Sequence, residues 1–277
     1  MLNDIRYGLR QLWKHPAFTI IAILTLALGI GANTAIFSVV NAVLLKPLPF
    51  PEPEQLIALG MTDESTRLKG AHMELNSLSY PDFFDYREQN RTLANSAVYR
   101  DRTFALTSEE GATSLRGVKV SAEFFDVLGI KPKMGRTFSR DDEQGGGGPG
   151  GFKVIISHGF WQNHFGGDPN VLGRTVTLDR RQHTVIGVMP AGFQFPIQND
   201  PLDFYVTIAE DAANPDGSKP MTQQRGNHSI QAIARMKSGV TITQAQADLA
   251  AIAAALEKRY PTRTPTWESP PSRCVRK

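Results

Sequence analysis

The feature that most constrains this chain is a long apolar run near its N-terminus. From Ala17 to Leu45 the sequence holds no Asp, Glu, Lys, Arg or His, a run of 29 residues. As an α-helix this run would be about 43 Å long, whereas the hydrocarbon core of a bilayer is about 30 Å thick. Because a core helix of a soluble protein is rarely so long without a charge, we predict a transmembrane helix over 17–45.

The charges on either side of the run predict its orientation. Residues 1–16 carry three Lys or Arg residues and one Asp, whereas Lys46 is soon followed by Glu52 and Glu54. Lys and Arg are retained on the cytoplasmic side of a membrane. We therefore expect a cytoplasmic N-terminus, an amphipathic interfacial helix over 1–16, and later residues outside the inner (cytoplasmic) membrane.

A cleaved signal peptide is the main alternative to a membrane anchor. The apolar region of a signal peptide is usually about 7–15 residues and ends at a small-x-small site. Here the run is about twice that length and leads into Leu45-Lys46-Pro47 without such a site. The sequence therefore favours a helix that stays in the membrane.

Small residues recur along one side of the predicted helix, at steps of four, four, three and four. Such residues let a neighbouring helix approach closely, which is how packing stabilises helix association in lipid. Ordinary transmembrane composition is the alternative explanation, but we predict a helix-packing seam. Its members are Ala27, Gly31, Ala35, Ser38 and Ala42.

Beyond the Pro-rich segment 47–53, which cannot continue a helix, short strand and helix signals alternate. Such interleaving, with at least one hairpin, predicts an α+β domain with mixed or antiparallel sheets over 46–260. The polar, Pro-rich residues 261–277 are expected to be a disordered tail. The predicted elements are a strand at 55–61, a helix capped by Ser79, a helix capped by Ser121 and ended by Gly129, a strand at 154–156, a helix from Ser157, a hairpin turning at Asp179-Arg180, strands at 202–208 and 229–237, and a last helix with a Thr243/Gln246 capping box.

No pattern in the chain predicts catalysis, a cofactor or a metal site. The net charge of the chain, +3, is small, and the basic residues are scattered along the sequence. Both observations argue against nucleic-acid binding. The Gly-rich stretch 145–151 lacks the Gly-Lys-Ser/Thr ending of a phosphate loop, so we expect a surface loop. The six histidines form no HExxH pattern, and we expect them at surface or boundary positions. The lone Cys274 can form neither an internal disulfide nor a CxxC pair.

Ten short strings occur in order along the sequence. Two of them, Leu9–Leu12 and Gly29–Phe37, lie before and within the apolar run, and the others are Ser79–Phe83, Phe124–Pro132, Gly135–Phe138, Phe160–Gln162, Phe165–Pro169, Leu172–Thr175, Val185–Pro190 and Ala234–Thr241. The first two resemble the first membrane helix of ABC transporter permeases, and the other eight resemble the MacB-like periplasmic core domain of such permeases. The strings consist mostly of glycine turns and aromatic anchors, so they identify a scaffold and not a catalytic site.

The resemblance implies a non-catalytic permease subunit with a two-lobed extracytoplasmic domain between its first and second membrane helices. An inserted lobe is expected at about 111–222. ATP hydrolysis would occur in a separate ATPase subunit, and the permease would act in export or envelope remodelling as a homodimer or with other permease helices. The resemblance leaves the substrate open.

The sequence departs from the family pattern after about residue 260, where further membrane helices are expected. A C-terminally truncated permease would explain that departure. The alternative is a single-span anchored domain that binds an extracytoplasmic partner without any ATPase. An anchored hydrolase is the weakest hypothesis, because no catalytic set of residues was found.

Overall fold

The chain is described by a computed structural model, which places residues 10, 13, 14, 16–40, 49–60, 77–108, 111–197, 200–214 and 217–260. It divides into two compact units, one that contains the apolar helix and one that starts at Pro49. The predicted interfacial helix at 1–16 and the predicted tail at 261–277 lie almost wholly outside the described residues.

The apolar run folds as helix α1, Pro16–Val40. Within the described residues it is the one helix long and apolar enough to span a membrane, over Pro16–Ser38. Its two threonine hydroxyls bond inside the helix, from Thr25 to the Ile21 carbonyl at 2.8 Å and from Thr34 to the Ile30 carbonyl at 2.7 Å. These bonds satisfy two hydroxyl groups that would find no hydrogen-bond partner among lipid tails.

The second unit contains four α-helices and nine strands among the described residues. The helices are α2 Tyr80–Gln89, α3 Phe124–Leu128, α4 His158–Phe165 and α5 Ile242–Arg259. The strands are β1 Leu56–Leu59, β2 Leu93–Ser108, β3 Gly111–Val120, β4 Met134–Gly135, β5 Phe152–Ile156, β6 Thr175–Leu178, β7 Arg181–Val188, β8 Phe204–Thr207 and β9 Gln231–Met236.

The first core lies between a small antiparallel sheet, in the order β1-β9-β2, and helices α2 and α5. Both helices begin at capped residues: Ser79 accepts from the Asp82 amide, and Thr241 forms a capping box with Gln244. Residues on one side of each helix then bury apolar side chains against the sheet. This cluster includes Phe83, Tyr86, Val98, Ala234, Leu249 and Leu256.

The second core lies in a closed ring of six strands. Strands β2, β3, β8, β5, β7 and β6 pair in that order, and β6 returns to β2 at Leu106↔Leu178. The β3–β8 and β5–β7 pairs are parallel and the others in the ring are antiparallel. The buried cluster includes Phe104, Leu106, Val154, Trp161, Val185 and Phe204.

The rings of Phe104 and Phe204 meet edge to face, with centroids 5.1 Å apart. They approach Gly117 so closely that an added Cβ there would lie 2.4 Å from a Phe204 ring carbon. Gly117 is therefore required by packing, since any side chain would have to push one of the two rings aside.

The predicted fold class is confirmed: an N-terminal apolar helix precedes an α+β domain with a mixed sheet. The Ser79 and Ser157 caps and the Gly129 stop are found as predicted. The hairpin turns at Asp179-Arg180, where both residues have positive φ, as the twist-matched two-residue turn requires.

Two predicted caps are wrong. The last helix is capped by Thr241 with Gln244, two residues earlier than the predicted Thr243 and Gln246. Ser121 does not cap α3, because its hydroxyl instead accepts a hydrogen bond from the Val98 amide of β2 at 3.1 Å. Strand pairing competes for the same hydroxyl, and local spacing alone cannot reveal that.

The lobe boundaries at about 111 and 222 stay a prediction. Strand β2 gives side chains to both cores, Val98 to the first and Phe104 to the second. The chain also passes between the cores within a few residues after β8, since Val206 lies in the second core and Ile208 in the first.

The Gly-rich stretch forms a surface turn, as expected, but it is built around a buried cation. The Lys153 ammonium donates to the carbonyls of Gly151 at 2.6 Å and Pro149 at 3.2 Å. Positive φ at Gly147 and Gly148, together with backbone within 2.4 Å of any added Cβ, restricts both positions to glycine. The loop therefore encloses the Lys153 ammonium.

Candidate functional site

The predicted packing seam lies on helix α1, with four of its five residues described. Ala27, Gly31, Ala35 and Ser38 are exposed and fall within about 80° of each other around the helix axis. Ala42 lies outside the described residues. No atom lies within 4 Å of a Cβ built at Gly31, so the seam has room for a neighbour and stays a prediction.

In the second unit, an unexpected cluster of buried charges joins the two cores. At its centre the Lys119 ammonium, only 1% exposed, lies 2.7 Å from Asp211 Oδ1 and 2.9 Å from Glu210 Oε2. The Tyr80 hydroxyl donates to the other oxygen of Asp211 at 2.8 Å. We call these four residues, Tyr80, Lys119, Glu210 and Asp211, the ionic junction, together with the arginines around them, Arg100, Arg102 and Arg181.

Each member of the junction is positioned by a different element. Lys119 lies on β3 and Tyr80 begins helix α2 of the first core. Glu210 and Asp211 end the short 3₁₀ helix Ile208–Glu210 that follows β8. The junction therefore joins a helix of the first core, a strand of the ring and the segment that crosses between them.

Three arginines and a histidine surround the two carboxylates. Arg102 donates to Asp179 at 2.9 Å, in the turn that closes the ring, and lies 3.7 Å from Glu210. Arg181 also lies 3.7 Å from Glu210 and Arg100 lies 3.7 Å from Asp211. The three pairs at 3.7 Å are too long for hydrogen bonds. Their positive charges still stabilise the two carboxylates electrostatically.

His183 corrects one expectation from the sequence, because it is fully buried and not at a surface or boundary. Its Nδ1 lies 3.0 Å from the Arg181 carbonyl, which can only accept, so Nδ1 carries a proton. Its Nε2 lies 3.6 Å from Glu210 Oε1, too far for a hydrogen bond. Its ring stacks on Phe152, with centroids 5.3 Å apart.

The environment keeps Glu210 ionised and Tyr80 neutral. Burial alone would raise the pKa of Glu210, but the neighbouring His183 and the charge of Lys119 outweigh it and lower the pKa to about 2. Burial and the Asp211 carboxylate raise the pKa of Tyr80 well above its usual value. Tyr80 is therefore a neutral hydrogen-bond donor to Asp211.

This arrangement is suited to holding the two cores of the second unit together and not to catalysis. The side chains of Lys119, Glu210 and His183 are at most 5% exposed, so a substrate could not reach them without the cores separating. No group of three or more potential metal ligands occurs among the described residues. Pairing of desolvated charges fixes relative orientation, since either charge left alone would be costly.

A second buried carboxylate holds the end of the last helix. Asp82 is fully buried, and Arg225 donates to it and, at 2.6 Å, to Asp85 one turn further along α2. The same guanidinium lies 4.0 Å from the ring centroid of Tyr260, just after α5. Arg225 therefore fixes the end of α5 against α2.

Comparison with known proteins decides what this scaffold is. Residues 19–252 match the family described as the MacB-like periplasmic core domain, a match that covers both the apolar helix and most of the second unit. This chain belongs to the MacB-like periplasmic core domain family. A comparison with curated proteins found no match.

Solved structures of other MacB-like domains share this fold. The periplasmic region of MacB from Actinobacillus actinomycetemcomitans is 17% identical, over 76% of this chain and 85% of that one, with a TM-score of 0.51. The extracellular domain of the noncanonic ABC-type transporter YknZ from Gram-positive bacteria gives the same identity and TM-score over 97% of its length. At such identity the likeness concerns the fold alone.

The MacB-like family consists of transporter permeases, which are generally non-catalytic. With its apolar N-terminal helix, the chain is accordingly a membrane-anchored protein with an extracytoplasmic domain. The ionic junction lies in that domain, and no string that carried the family resemblance includes Lys119, Glu210 or Asp211.

Replacement of Lys119 tests whether the ionic junction stabilises the domain. We expect Lys119→Met to lower the free energy of unfolding by about 3–5 kcal/mol, because two buried carboxylates lose their cation. Lys131→Met, at an exposed lysine, should change it by less than about 0.5 kcal/mol. Urea denaturation of the full chain in mild detergent, followed by tryptophan fluorescence, measures both.

The companion variant Lys119→Met/Glu210→Gln/Asp211→Asn separates charge from packing. It should regain part of the lost stability, because the buried charges are removed together. Equal stability of Lys119→Met and Lys131→Met would show that the junction does not hold the cores together.

Proposed function

We propose that this chain is a membrane-anchored permease subunit of a MacB-like ABC transporter. In this proposal a separate ATPase hydrolyses ATP in the cytoplasm, and the membrane helices pass the resulting motion to the extracytoplasmic domain in export or envelope remodelling. The observation that carries the proposal is the family match across both the apolar helix and the domain.

The ionic junction supports this proposal mechanically. A domain that transmits motion must move as one rigid unit. If its two cores could shift against each other, a movement of one core would not be passed on to the other. The paired charges of Lys119, Glu210 and Asp211 resist separation of the cores, and Arg225 ties α5 to α2. Motion applied at one end of the domain would then reach the other.

The N-terminus is proposed to lie in the cytoplasm, with the domain outside the inner membrane. The surplus of Lys and Arg before the apolar run supports this orientation. A periplasm-dependent reporter fused after residue 60 should be active, and a fusion after residue 14 should not. The reverse pattern would overturn the orientation.

Association with an ATPase is the direct test of the proposed function. We expect an ABC ATPase encoded near this gene to co-purify with the tagged full chain in mild detergent, and not with an unrelated single-span protein prepared in the same way. Absence of the ATPase from the purified chain would favour the alternative, a single-span anchored domain that binds an extracytoplasmic partner without ATP.

The packing seam is proposed to contact a second copy of this chain or other permease helices. Gly31→Leu should weaken helix association in the membrane by about 1–2 kcal/mol, because a bulky side chain blocks close approach. Gly29→Leu is the matched control, since Gly29 lies outside the arc of the seam and also has open space around it. Energy transfer between labelled full chains in bilayers measures both variants.

Equal weakening by the two variants, or no weakening by Gly31→Leu, would show that the small residues reflect composition alone.

A further inference from the structure

A polar cleft of about 190 Å³ lies beside the start of strand β2. Its walls come from the end of helix α2, from the first residues of β2, from the residue before α3 and from the 3₁₀ helix Arg140–Glu143. The polar side chains in these walls include Arg87, Ser96, Glu123 and Arg140.

The cleft lies along a stretch of β2 that is paired on one side only. Strand β9 pairs with β2 from Leu93, whereas β3 begins to pair with it at Tyr99↔Val120. The amide and carbonyl of Val98 are occupied by Ser121. Before Val98, no described strand covers the second side of β2, so the cleft opens beside uncovered backbone.

The cleft carries more positive than negative charge. The carboxylate of Glu123 lies between two guanidinium groups: it accepts from Arg140 Nε at 2.8 Å and lies 3.7 Å from Arg87 Nη1. Arg87 is held in place because it stacks over Phe84, 5.0 Å from the ring centroid. One carboxylate therefore faces two cations.

Two further acids lie near Glu123. One is Asp126, whose pKa is raised by burial and by the charge of Glu123, and the other is Glu143. Its carboxylate accepts from the Ala122 amide. Burial raises the pKa of Glu143 to about 7, an increase to which the neighbouring Glu123 also contributes. A substantial fraction of Glu143 is thus uncharged near neutral pH.

Three polar atoms around the cleft lack hydrogen-bond partners among the described residues. They are Arg87 Nη1, Glu123 Oε2 and the hydroxyl of Ser96, whose residue is only 4% exposed. Buried polar groups without partners are uncommon, and each calls for an explanation such as a water molecule, an ion or a binding role. Two of these atoms, on Arg87 and Ser96, are donors beside uncovered strand backbone, and the third, Glu123 Oε2, is an acceptor 3.7 Å from Arg87 Nη1.

We propose that this cleft binds an acidic side chain presented by an extracytoplasmic protein. The incoming carboxylate would accept from Arg140 and Arg87, as guanidinium groups bind carboxylates through directed donors, and Ser96 would supply a further donor. The volume suits one side chain and not a whole folded element. The proposal is independent of coupling to an ATPase.

Matched small probes test the cleft directly. The full chain in lipid nanodiscs is titrated with N-acetylglutamate methylamide and with N-acetylglutamine methylamide, which differ in one charge, while the arginine side-chain NMR signals are followed. We expect the acid to bind at least about tenfold more tightly than the amide, since hydrogen bonds to charged groups are stronger than neutral ones.

Arg140→Gln should weaken binding of the acid about tenfold and leave binding of the amide unchanged. Arg140 is 73% exposed, so this variant should fold. The control is Arg180→Gln, which removes the same charge at an exposed position in the β6–β7 turn and should not affect binding of the acid.

Three outcomes would overturn the proposal: no saturable binding of the acid, equal binding of acid and amide, or equal weakening by Arg140→Gln and Arg180→Gln. The last would indicate attraction by net charge alone. Retained ATPase association in the same samples would show that failure of the cleft does not bear on the proposed transporter function.

Discussion

The ionic junction at Lys119 is the constraint on which the second unit depends. A lysine at 1% exposure is tolerated because two carboxylates pair with it, one of which also accepts a hydrogen bond from the Tyr80 hydroxyl. The lysine, the two carboxylates and the tyrosine come from three separate elements. Moving β3 relative to α2, or either one relative to the segment after β8, would leave a buried charge without its partner. Apolar contacts alone would allow the cores to slide, whereas these directed pairs permit one arrangement.

Features set by a few neighbouring residues could be predicted from the sequence. The Ser79 and Ser157 caps, the Gly129 stop and the Asp179-Arg180 turn each depend on local backbone geometry. The ring of strands could not be predicted, because it requires β6 to meet β2 across some seventy residues of chain. Alternating patterns show that strands exist but contain no information about which strands become neighbours.

The candidate site was harder to predict than the fold for the same reason. Lys119 lies between Val118 and Val120, a pattern typical of a strand with one solvated face. Both faces are covered here, because the crossing segment that bears Glu210 and Asp211 packs on the polar side. His183 was missed likewise, since burial beside Glu210 depends on partners far away in sequence. The one signal of this site in the sequence was the pair of adjacent acids, Glu210 and Asp211, that follows an apolar strand.

Strand β2 has a consequence for how this domain comes apart. With 16 residues it extends over about 53 Å, and it supplies Val98 to one core and Phe104 to the other. Opening either core would disturb the same continuous strand, so we expect the two cores to unfold in a single cooperative transition and not one after the other. One continuous strand thus makes a domain with two cores a single thermodynamic unit.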